Sequence, residues 1–220
     1  MCGRFALTVD LADIAKKFGV EPTTQAMHSA PRYNVAPTQP VAAVLRNGET
    51  HLAELRWGLI PSWAKDESIG ARMINARAET LTEKPSFKGL LRSKRCMILA
   101  DGFFEWKQEP GGKTPMFITM ADGQPFAFAG LWDSWKSPSG EPLRTCTIIT
   151  TQPNELVATI HDRMPAILLP EAYESWLDPS IKDEQLLSHW LAPYPAEAMM
   201  ARPVSRLVND PKNDRPEVLS

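Results

Sequence analysis

The sequence is poor in cysteine and has no long hydrophobic run. Its three cysteines, Cys2, Cys96 and Cys146, form no C-x-x-C pair, which argues against a disulfide framework and against a zinc knuckle. No apolar stretch approaches the roughly 18 residues that cross a bilayer, and the first residues lack the basic-then-apolar layout of a secretory signal. We therefore expect a cytoplasmic protein with reduced thiols, no membrane association, no metal and no cofactor.

An excess of charge of one sign is also missing. The 24 Lys and Arg nearly balance the 26 Asp and Glu, and the net charge is −2, whereas a domain that binds nucleic acid through bulk charge is usually basic. Any nucleic-acid site must therefore be local. Between residues 68 and 95 seven cations accompany two anions, a local footprint suited to phosphates. These cations are Arg72, Arg77, Lys84, Lys88, Arg92, Lys94 and Arg95.

Turn signals divide the chain into short strands and helices. Among its 220 residues are 20 Pro and 12 Gly, and 43% of the residues are hydrophobic, which indicates a globular domain with many turns. Asn47-Gly48 and Asp122-Gly123 each separate two apolar runs, which predicts two β-hairpins. Helices are predicted at 10–19, 155–160, 171–177 and 184–191.

These elements predict a single α+β domain over residues 1–220. We expect a strongly bent or barrel-like, mainly antiparallel sheet with peripheral helices. The polar, turn-rich tail at 209–220 is expected to be loosely held.

Cys2 carries the most distinctive chemistry in the sequence. Removal of Met1 would leave an α-amine and a β-thiol on this one residue, with ordinary pKa values of about 7.7–8.0 and about 8.5. A 1,2-aminothiol of this kind condenses with an aldehyde to an imine, and the thiol then closes a thiazolidine ring. The alternative is that Cys2 is merely a small buried residue.

Residues 75–80 (NARAET) alternate polar side chains with alanine. In an extended segment this alternation puts Asn75, Arg77 and Glu79 on one side. The segment is a candidate for binding or catalysis, although Asn75 could simply cap a turn.

Two titratable residues lie in unusual surroundings. Glu105 stands among aromatic residues, where partial burial would raise its pKa and ease proton transfer near neutral pH. His161 follows a predicted helix and precedes the cation Arg163. Each has a bland alternative, because a lone histidine or glutamate is more often structural or on the surface than catalytic.

Six segments in this order resemble one family. They are MCGRF at 1–5, YNVAP at 33–37, WGLIPSW at 57–63, NARAET at 75–80, DGFFEW at 101–106 and HDRMP at 161–165. Together they resemble the SRAP family of abasic-site processing proteins, also called SOS-response-associated peptidases, over nearly the whole chain.

The resemblance implies covalent capture of abasic sites in single-stranded DNA. The Cys2 amine would attack the opened sugar, and its thiol would seal a thiazolidine that shields the strand from cleavage. Asn75 would orient the cysteine and the sugar, Glu105 would act as acid or base, and His161 would move protons on the sugar oxygen.

The resemblance further implies self-directed, peptidase-like removal of Met1 assisted by Glu105, and lyase-type chemistry that is single-turnover or slowly reversing. We expect a monomer associated with replication forks and with the nucleoid.

The resemblance also implies a DNA-binding surface. Its residues are Arg4, Pro37, Trp63, Arg77, Thr150 and Arg163. The three arginines resemble a phosphate clamp, since a planar guanidinium can hold two phosphate oxygens, and the threonine would donate to a phosphate oxygen. The proline and the tryptophan resemble surfaces against which bases stack. This sequence has one tryptophan where some relatives carry two in succession.

Two other functions stay open at this point. N-terminal nucleophile glutamine amidotransferases also begin Met-Cys-Gly, although their downstream signatures are missing here. A non-covalent reader of single-stranded or modified DNA would leave Cys2 incidental. Ammonia release from glutamine would indicate the first, and full DNA binding by Cys2→Ala would indicate the second.

Overall fold

The fold consists of short strands and shorter helices, numbered in chain order. The structure is a computed structural model that describes residues 2–20 and 30–220. The strands are β1 (Phe5–Leu7), β2 (Arg32–Val35), β3 (Pro40–Asn47), β4 (Glu49–Trp57), β5 (Asn75–Arg77), β6 (Arg95–Ala100), β7 (Gly102–Glu109), β8 (Gly112–Met120), β9 (Phe126–Lys136), β10 (Pro142–Thr151), β11 (Met164–Pro165) and β12 (Met199–Pro203). The helices are α1 (Leu11–Phe18), α2 (Pro85–Ser93), α3 (Glu155–Ala158), α4 (Tyr173–Leu177) and α5 (Glu184–His189). Over the described ranges, no helix combines the length and the apolar character needed to cross a membrane.

Five strands close into a barrel. β10 pairs with β4, β4 with β3, β3 with β6, β6 with β9, and β9 again with β10; only the β4–β10 pair is parallel. Closure leaves no room for a side chain at Gly130, where an added Cβ would lie 2.9 Å from Cys96 Sγ and 3.1 Å from the Thr147 carbonyl oxygen. The predicted α+β fold with a barrel-like, mainly antiparallel sheet and peripheral helices is confirmed.

A second, wholly antiparallel sheet packs against the barrel. Its strand order is β12-β8-β7-β1-β2. Phe5 of β1 joins the two layers, because its ring centroid lies 5.2 Å from that of Trp57 and 5.7 Å from that of Phe128. The barrel interior and this sheet therefore share one buried cluster, which also contains Cys2.

Helices cover the outer face of the barrel. Along β6, Cys96 and Ile98 belong to the inner cluster, whereas Met97 and Leu99 belong to an outer cluster shared with α1, α2, α4 and α5. Because both faces of β6 are buried, the strand is a continuous apolar run instead of an alternating one.

The predicted helices are present at or near their predicted positions. Asp10 caps α1 by accepting the Ala12 N–H at 2.7 Å, and Gly19 ends the helix with φ of +62°. The predictions at 155–160, 171–177 and 184–191 correspond to α3, α4 and α5. Helix α2 was missed, although Pro85 in its first turn is a common helix start.

One predicted hairpin forms and the other does not. The strands around Asn47-Gly48 pair as β3 and β4. The hairpin around Asp122-Gly123 is wrong, because β8 pairs with β7 and β12 while β9 belongs to the barrel. The chain passes between the two sheets at this turn, and turn chemistry alone does not determine the partner of a strand.

The expectation of a loosely held tail at 209–220 is also wrong. The buried Asn34 side chain donates from Nδ2 to three carbonyl oxygens between residues 208 and 213, at 2.8–3.3 Å. Asp214 accepts the backbone N–H groups of Tyr33 and Asn34, and Val218 is completely buried. These contacts hold the tail against β2.

Asn34→Ala should weaken this attachment. The substitution removes the amide that serves the three tail carbonyls and accepts a bond from Arg4 at 2.8 Å; the carbonyls of Asp210 and Asn213 lose this donor, whereas the Val208 carbonyl retains the bond from Arg4 Nη1. We expect the free energy of unfolding to fall by about 2–3 kcal/mol. Hydrogen exchange should show faster exchange in the 209–220 tail, and unchanged protection there would contradict this account.

Candidate active site

The end of β10 brings together two segments that are distant in the sequence. Ile148 and Thr150 pair with Asn75 and Arg77 of β5 in parallel register. The last residues of β10 also pair with β11, which directly follows the turn containing His161. The backbone ladder therefore holds the NARAET and HDRMP segments at one strand end.

Glu105 connects the start of the chain with this strand end. It lies on β7. This strand pairs with β1, which begins at Phe5, shortly after Cys2 in the chain. Its Oε2 is 3.9 Å from Nε2 of His161. Burial, and after it the charge of Glu105, raise the pKa of the Cys2 thiol far above its usual range, an effect that requires Glu105 to be near Cys2. Cys2, Glu105 and His161 thus form one site.

Cys2 itself is completely buried. It packs in the inner cluster with Phe5 and other core residues, and its raised pKa keeps the sulfur as a neutral thiol at physiological pH. The alternative given above for Cys2, a small buried residue, therefore describes the position of its side chain. Reaction at this sulfur requires a neighbouring group that accepts its proton.

Glu105 is only 3% exposed. Burial raises its pKa, and the attraction of His161 offsets part of that rise. The prediction that burial would raise the pKa of Glu105 is confirmed. A carboxyl group with a raised pKa can donate a proton closer to neutral pH than an exposed glutamate can.

The hydrogen bonds of His161 define its orientation. Its Nδ1 accepts the backbone N–H of Arg163 at 3.0 Å, which favours the neutral ring with its proton on Nε2, the nitrogen facing Glu105. Two acceptors also lie near Nδ1, the exposed Asp162 carboxylate at 3.0 Å and the Arg163 carbonyl oxygen at 3.3 Å, and either would bind a proton carried on that nitrogen. The ring is 28% exposed and borders the site on the solvent side.

Asn75 offers an unused acceptor. Its Nδ2 donates to the neighbouring Ile74 carbonyl at 3.0 Å, whereas its buried Oδ1 has no hydrogen-bond partner in the described part of the chain. Ile74 packs against the cluster that contains Cys2. Because buried acceptors are usually satisfied, this oxygen is suited to an incoming N–H or O–H group.

The three predicted phosphate-binding arginines differ in their availability. Arg77 is exposed and forms no side-chain hydrogen bond or ion pair within residues 2–20 and 30–220. Arg4 donates to Asn34 and lies 5.9 Å above the ring of Trp106, so its guanidinium is partly engaged. Arg77 is therefore the arginine best placed to receive a phosphate without rearrangement.

Arg163 and Thr150 are bound to each other and to Glu79. Both Nη atoms of Arg163 donate to the Glu79 carboxylate, at 2.7 and 2.9 Å, and Nη2 also donates to the Thr150 carbonyl at 2.7 Å. Arg163 is 9% exposed and Thr150 is completely buried. Their contacts with phosphate stay predictions, which would require these side chains to become accessible.

The two predicted stacking residues lie on the surface. Trp63 is 63% exposed, and its loop is held by a bond from the Ser62 N–H to Asp133 and another from Trp135 Nε1 to the Ala64 carbonyl, each 2.7 Å. Pro37 is half-buried. A fixed loop that presents an exposed indole is suited to stacking on a base.

The cationic run at 68–95 does not form one surface. Arg95 is 3% exposed and donates to backbone carbonyls around α4, far from solvent. Arg92 pairs with Glu184, and Lys94 pairs with the buried Asp133. Cations that are close together in the sequence therefore do not all contribute positive charge to one surface.

Sequence reasoning gave no role to Glu79. The alternation in NARAET placed it beside Asn75 and Arg77, but its partner Arg163 lies 84 positions away, and no local pattern reports that pairing. The structure as described contains no group of three or more His, Cys, Asp or Glu side chains able to hold a metal.

Comparisons with known proteins extend over nearly the whole chain. Residues 1–211 match the family described as SOS response associated peptidase (SRAP). The chain is 52% identical to the abasic site processing protein YoqW of Bacillus subtilis, covering 100% of this chain and 99% of that protein, and 34% identical to YedK of Escherichia coli, a protein with the same description, at the same coverage. A crystal structure of a Bacteroides thetaiotaomicron protein matches with a TM-score of 0.89 and 30% identity, covering 99% of this chain and 98% of that one.

Glu105→Gln should make the protein more stable above acidic pH. Because burial raises the pKa of Glu105 in the folded state, the folded protein retains a proton that the unfolded chain releases, and stability falls as pH rises from the unfolded pKa to the folded one. Glutamine does not titrate, so this fall should disappear. Each kcal/mol gained raises Tm by about 2–4 °C in a chain of this size.

Thermal unfolding of both proteins between pH 4 and pH 8 measures this difference. The two Tm curves should separate as the pH rises. A variant that loses stability relative to the wild type with rising pH would show that Glu105 is stabilised as a carboxylate, contrary to this account.

Proposed function

The chain belongs to the SOS response associated peptidase (SRAP) family, and we propose that it captures abasic sites of single-stranded DNA through a thiazolidine at Cys2. The observation that supports the proposal is that Glu105 acts on the Cys2 thiol and lies 3.9 Å from His161, so that two groups able to transfer protons are close to a potential N-terminal aminothiol. Abasic sites, the substrate in the names of its relatives, open to an aldehyde, which is the partner that an aminothiol requires.

The first step is hydrolysis of the Met1–Cys2 peptide bond. Water adds to the carbonyl carbon of Met1, the C–N bond breaks, and the proton goes to the released amine of Cys2. Glu105 is a carboxyl group close enough to Cys2 for its charge to act on the thiol, and it would move this proton, which would make the peptidase reaction self-directed.

The second step joins the protein to the sugar. The Cys2 nitrogen attacks the C1′ aldehyde carbon, the oxygen takes a proton, and loss of water gives an imine. Protonated Glu105 donates to the departing hydroxyl group, and its raised pKa favours the protonated form. His161, with its proton on Nε2, delivers a proton to the sugar oxygen as the ring opens.

The third step closes the ring. The Cys2 sulfur adds to the imine carbon, the C=N bond becomes a single bond, and the thiol proton ends on nitrogen through Glu105. The sum of the last two steps is aldehyde plus aminothiol giving thiazolidine plus water. Consumption of the imine suppresses the β-elimination that would cut the strand, so any lyase-type reaction stays minor and reversal is slow.

The DNA path follows the exposed residues. Arg77 would bind a phosphate beside Asn75, and Trp63 and Pro37 would stack on flanking bases. Arg4, Arg163 and Thr150 would add contacts after rearrangement. A single strand is the fitting substrate because its bases are free to stack.

We propose that the protein acts as a monomer at replication forks during the SOS response. Its location would be the cytoplasm, and the nucleoid when it is bound to DNA.

Mass spectrometry with an abasic oligonucleotide tests the covalent proposal. The wild type should lose Met1 and gain the mass of the oligonucleotide minus one water. Cys2→Ser keeps the amine and should form less than about a tenth of the stable adduct, because oxygen closes the ring less readily than sulfur. Cys2→Ala should form no heat-stable adduct.

Retention of the heat-stable adduct in Cys2→Ala would exclude this mechanism. A wild type that forms no adduct, together with a Cys2→Ala variant that binds DNA as strongly as the wild type, would favour a non-covalent reader. Ammonia release from glutamine by the wild type would instead indicate an amidotransferase.

Arg77→Ala tests the phosphate contact. On an oligonucleotide whose abasic site is a tetrahydrofuran without aldehyde, binding should weaken, and the slope of log K against log salt should become shallower by about 0.7, the contribution of one phosphate on a single strand. Lys16→Ala on the exposed face of α1 removes the same charge away from the site and is the control. Equal slopes for Arg77→Ala and the wild type would remove Arg77 from the interface.

A further inference from the structure

Glu79 ties three separate segments together. It lies in a single helical turn directly after β5, and its carboxylate accepts both Nη groups of Arg163. Gln152, just beyond β10, donates to the same carboxylate at 3.3 Å. The end of β5, the end of β10 and the 161–163 turn therefore meet at one side chain.

The pairing is asymmetric in burial. The Arg163 side chain is 10% exposed and that of Glu79 is 43% exposed. A guanidinium buried to this degree needs a compensating charge, and hydrogen bonds from Arg163 lower the pKa of Glu79, so the carboxylate is charged at neutral pH. Without Glu79, the buried charge of Arg163 would lack compensation, and movement of its guanidinium toward solvent would lower the free energy.

Movement of Arg163 would reach the proposed catalytic histidine directly. The backbone N–H of Arg163 is the donor to His161 Nδ1. If that N–H shifts, Nδ1 loses the bond that favours its unprotonated form, and the Asp162 carboxylate and the Arg163 carbonyl oxygen can then bind a proton carried on Nδ1. Only the form with the proton on Nε2 presents it toward Glu105.

We propose that Glu79 is a positioning residue: it holds Arg163 against β10, and through the Arg163 backbone it keeps the His161 proton on Nε2, facing Glu105. Glu79 touches neither Cys2 nor the sugar in this scheme. The effect on reaction rate rests on the proposed function, whereas the effect on the histidine ring is a property of the free protein.

Nitrogen NMR of the histidine rings in the DNA-free protein tests the structural part. The chain has four histidines, and the His161 signals are assigned by their loss in His161→Gln. The wild type should show Nδ1 unprotonated and Nε2 protonated in the neutral ring. Glu79→Gln, which loses the charge and one of the two bonds to Arg163, should show a mixture of both forms.

Glu83→Gln is the matched control. Glu83 is exposed, lies four residues further along the chain, and its substitution changes net charge equally. This variant should retain the wild-type ring signals. If Glu79→Gln fails to fold, Glu79→Asp retains the charge, and its shorter side chain cannot hold both Nη groups. Wild-type ring signals in a folded variant at position 79 would overturn the proposal.

Reaction kinetics test the consequence. Adduct formation with an abasic single strand should slow by about tenfold or more in Glu79→Gln, since small displacements of a catalytic group are costly, and should be unchanged in Glu83→Gln. Tighter binding of the tetrahydrofuran oligonucleotide by Glu79→Gln, together with wild-type ring signals of His161, would mean that Glu79 only masks Arg163 from phosphate, which overturns the positioning role. A wild type without any adduct would refute the proposed function while the NMR result still decides the role of Glu79.

Discussion

Burial of the Glu105 carboxyl group beside Cys2 and His161 is the constraint on which the site depends. β7 runs between β1 and β8 in the second sheet, and the Glu105 side chain that it carries is buried, which raises its pKa. Desolvation of this kind destabilises the folded protein at neutral pH, which is a common property of acid–base sites. Burial of Cys2 itself raises the pKa of its thiol and keeps the sulfur protonated. The proposed chemistry therefore requires neighbouring groups that transfer this proton.

The barrel supplies the rigid frame around this carboxyl group. β10 is held by β9 and β4 inside the barrel, while its last residues extend to β5 and β11. Segments on short strands of two or three residues have little stability alone, and pairing with a long barrel strand fixes their positions. The Glu79–Arg163 pair adds a side-chain link between the same segments, at the point where β5 ends.

Charge on this protein is arranged by the fold and not by the linear sequence. Arg77 and Trp63 are exposed on fixed segments, whereas Arg95, from the same cationic run, lies inside the outer cluster beneath α4. A net charge of −2 is therefore compatible with the proposed DNA surface, because a few arginines at one place suffice for local phosphate contacts. Long-range steering by the whole molecule is not required.

Local features were predictable from the sequence by itself. The caps of α1, the Asn47-Gly48 hairpin and the mainly antiparallel α+β class follow from near neighbours in the chain. Only the tertiary structure decided the burial of Cys2, the attachment of the tail to Asn34, the separation of β8 from β9 and the pairing of Glu79 with Arg163. Each of these depends on contacts between residues far apart in the sequence, whose formation is governed by how the barrel closes and what packs against it, and no local pattern encodes that.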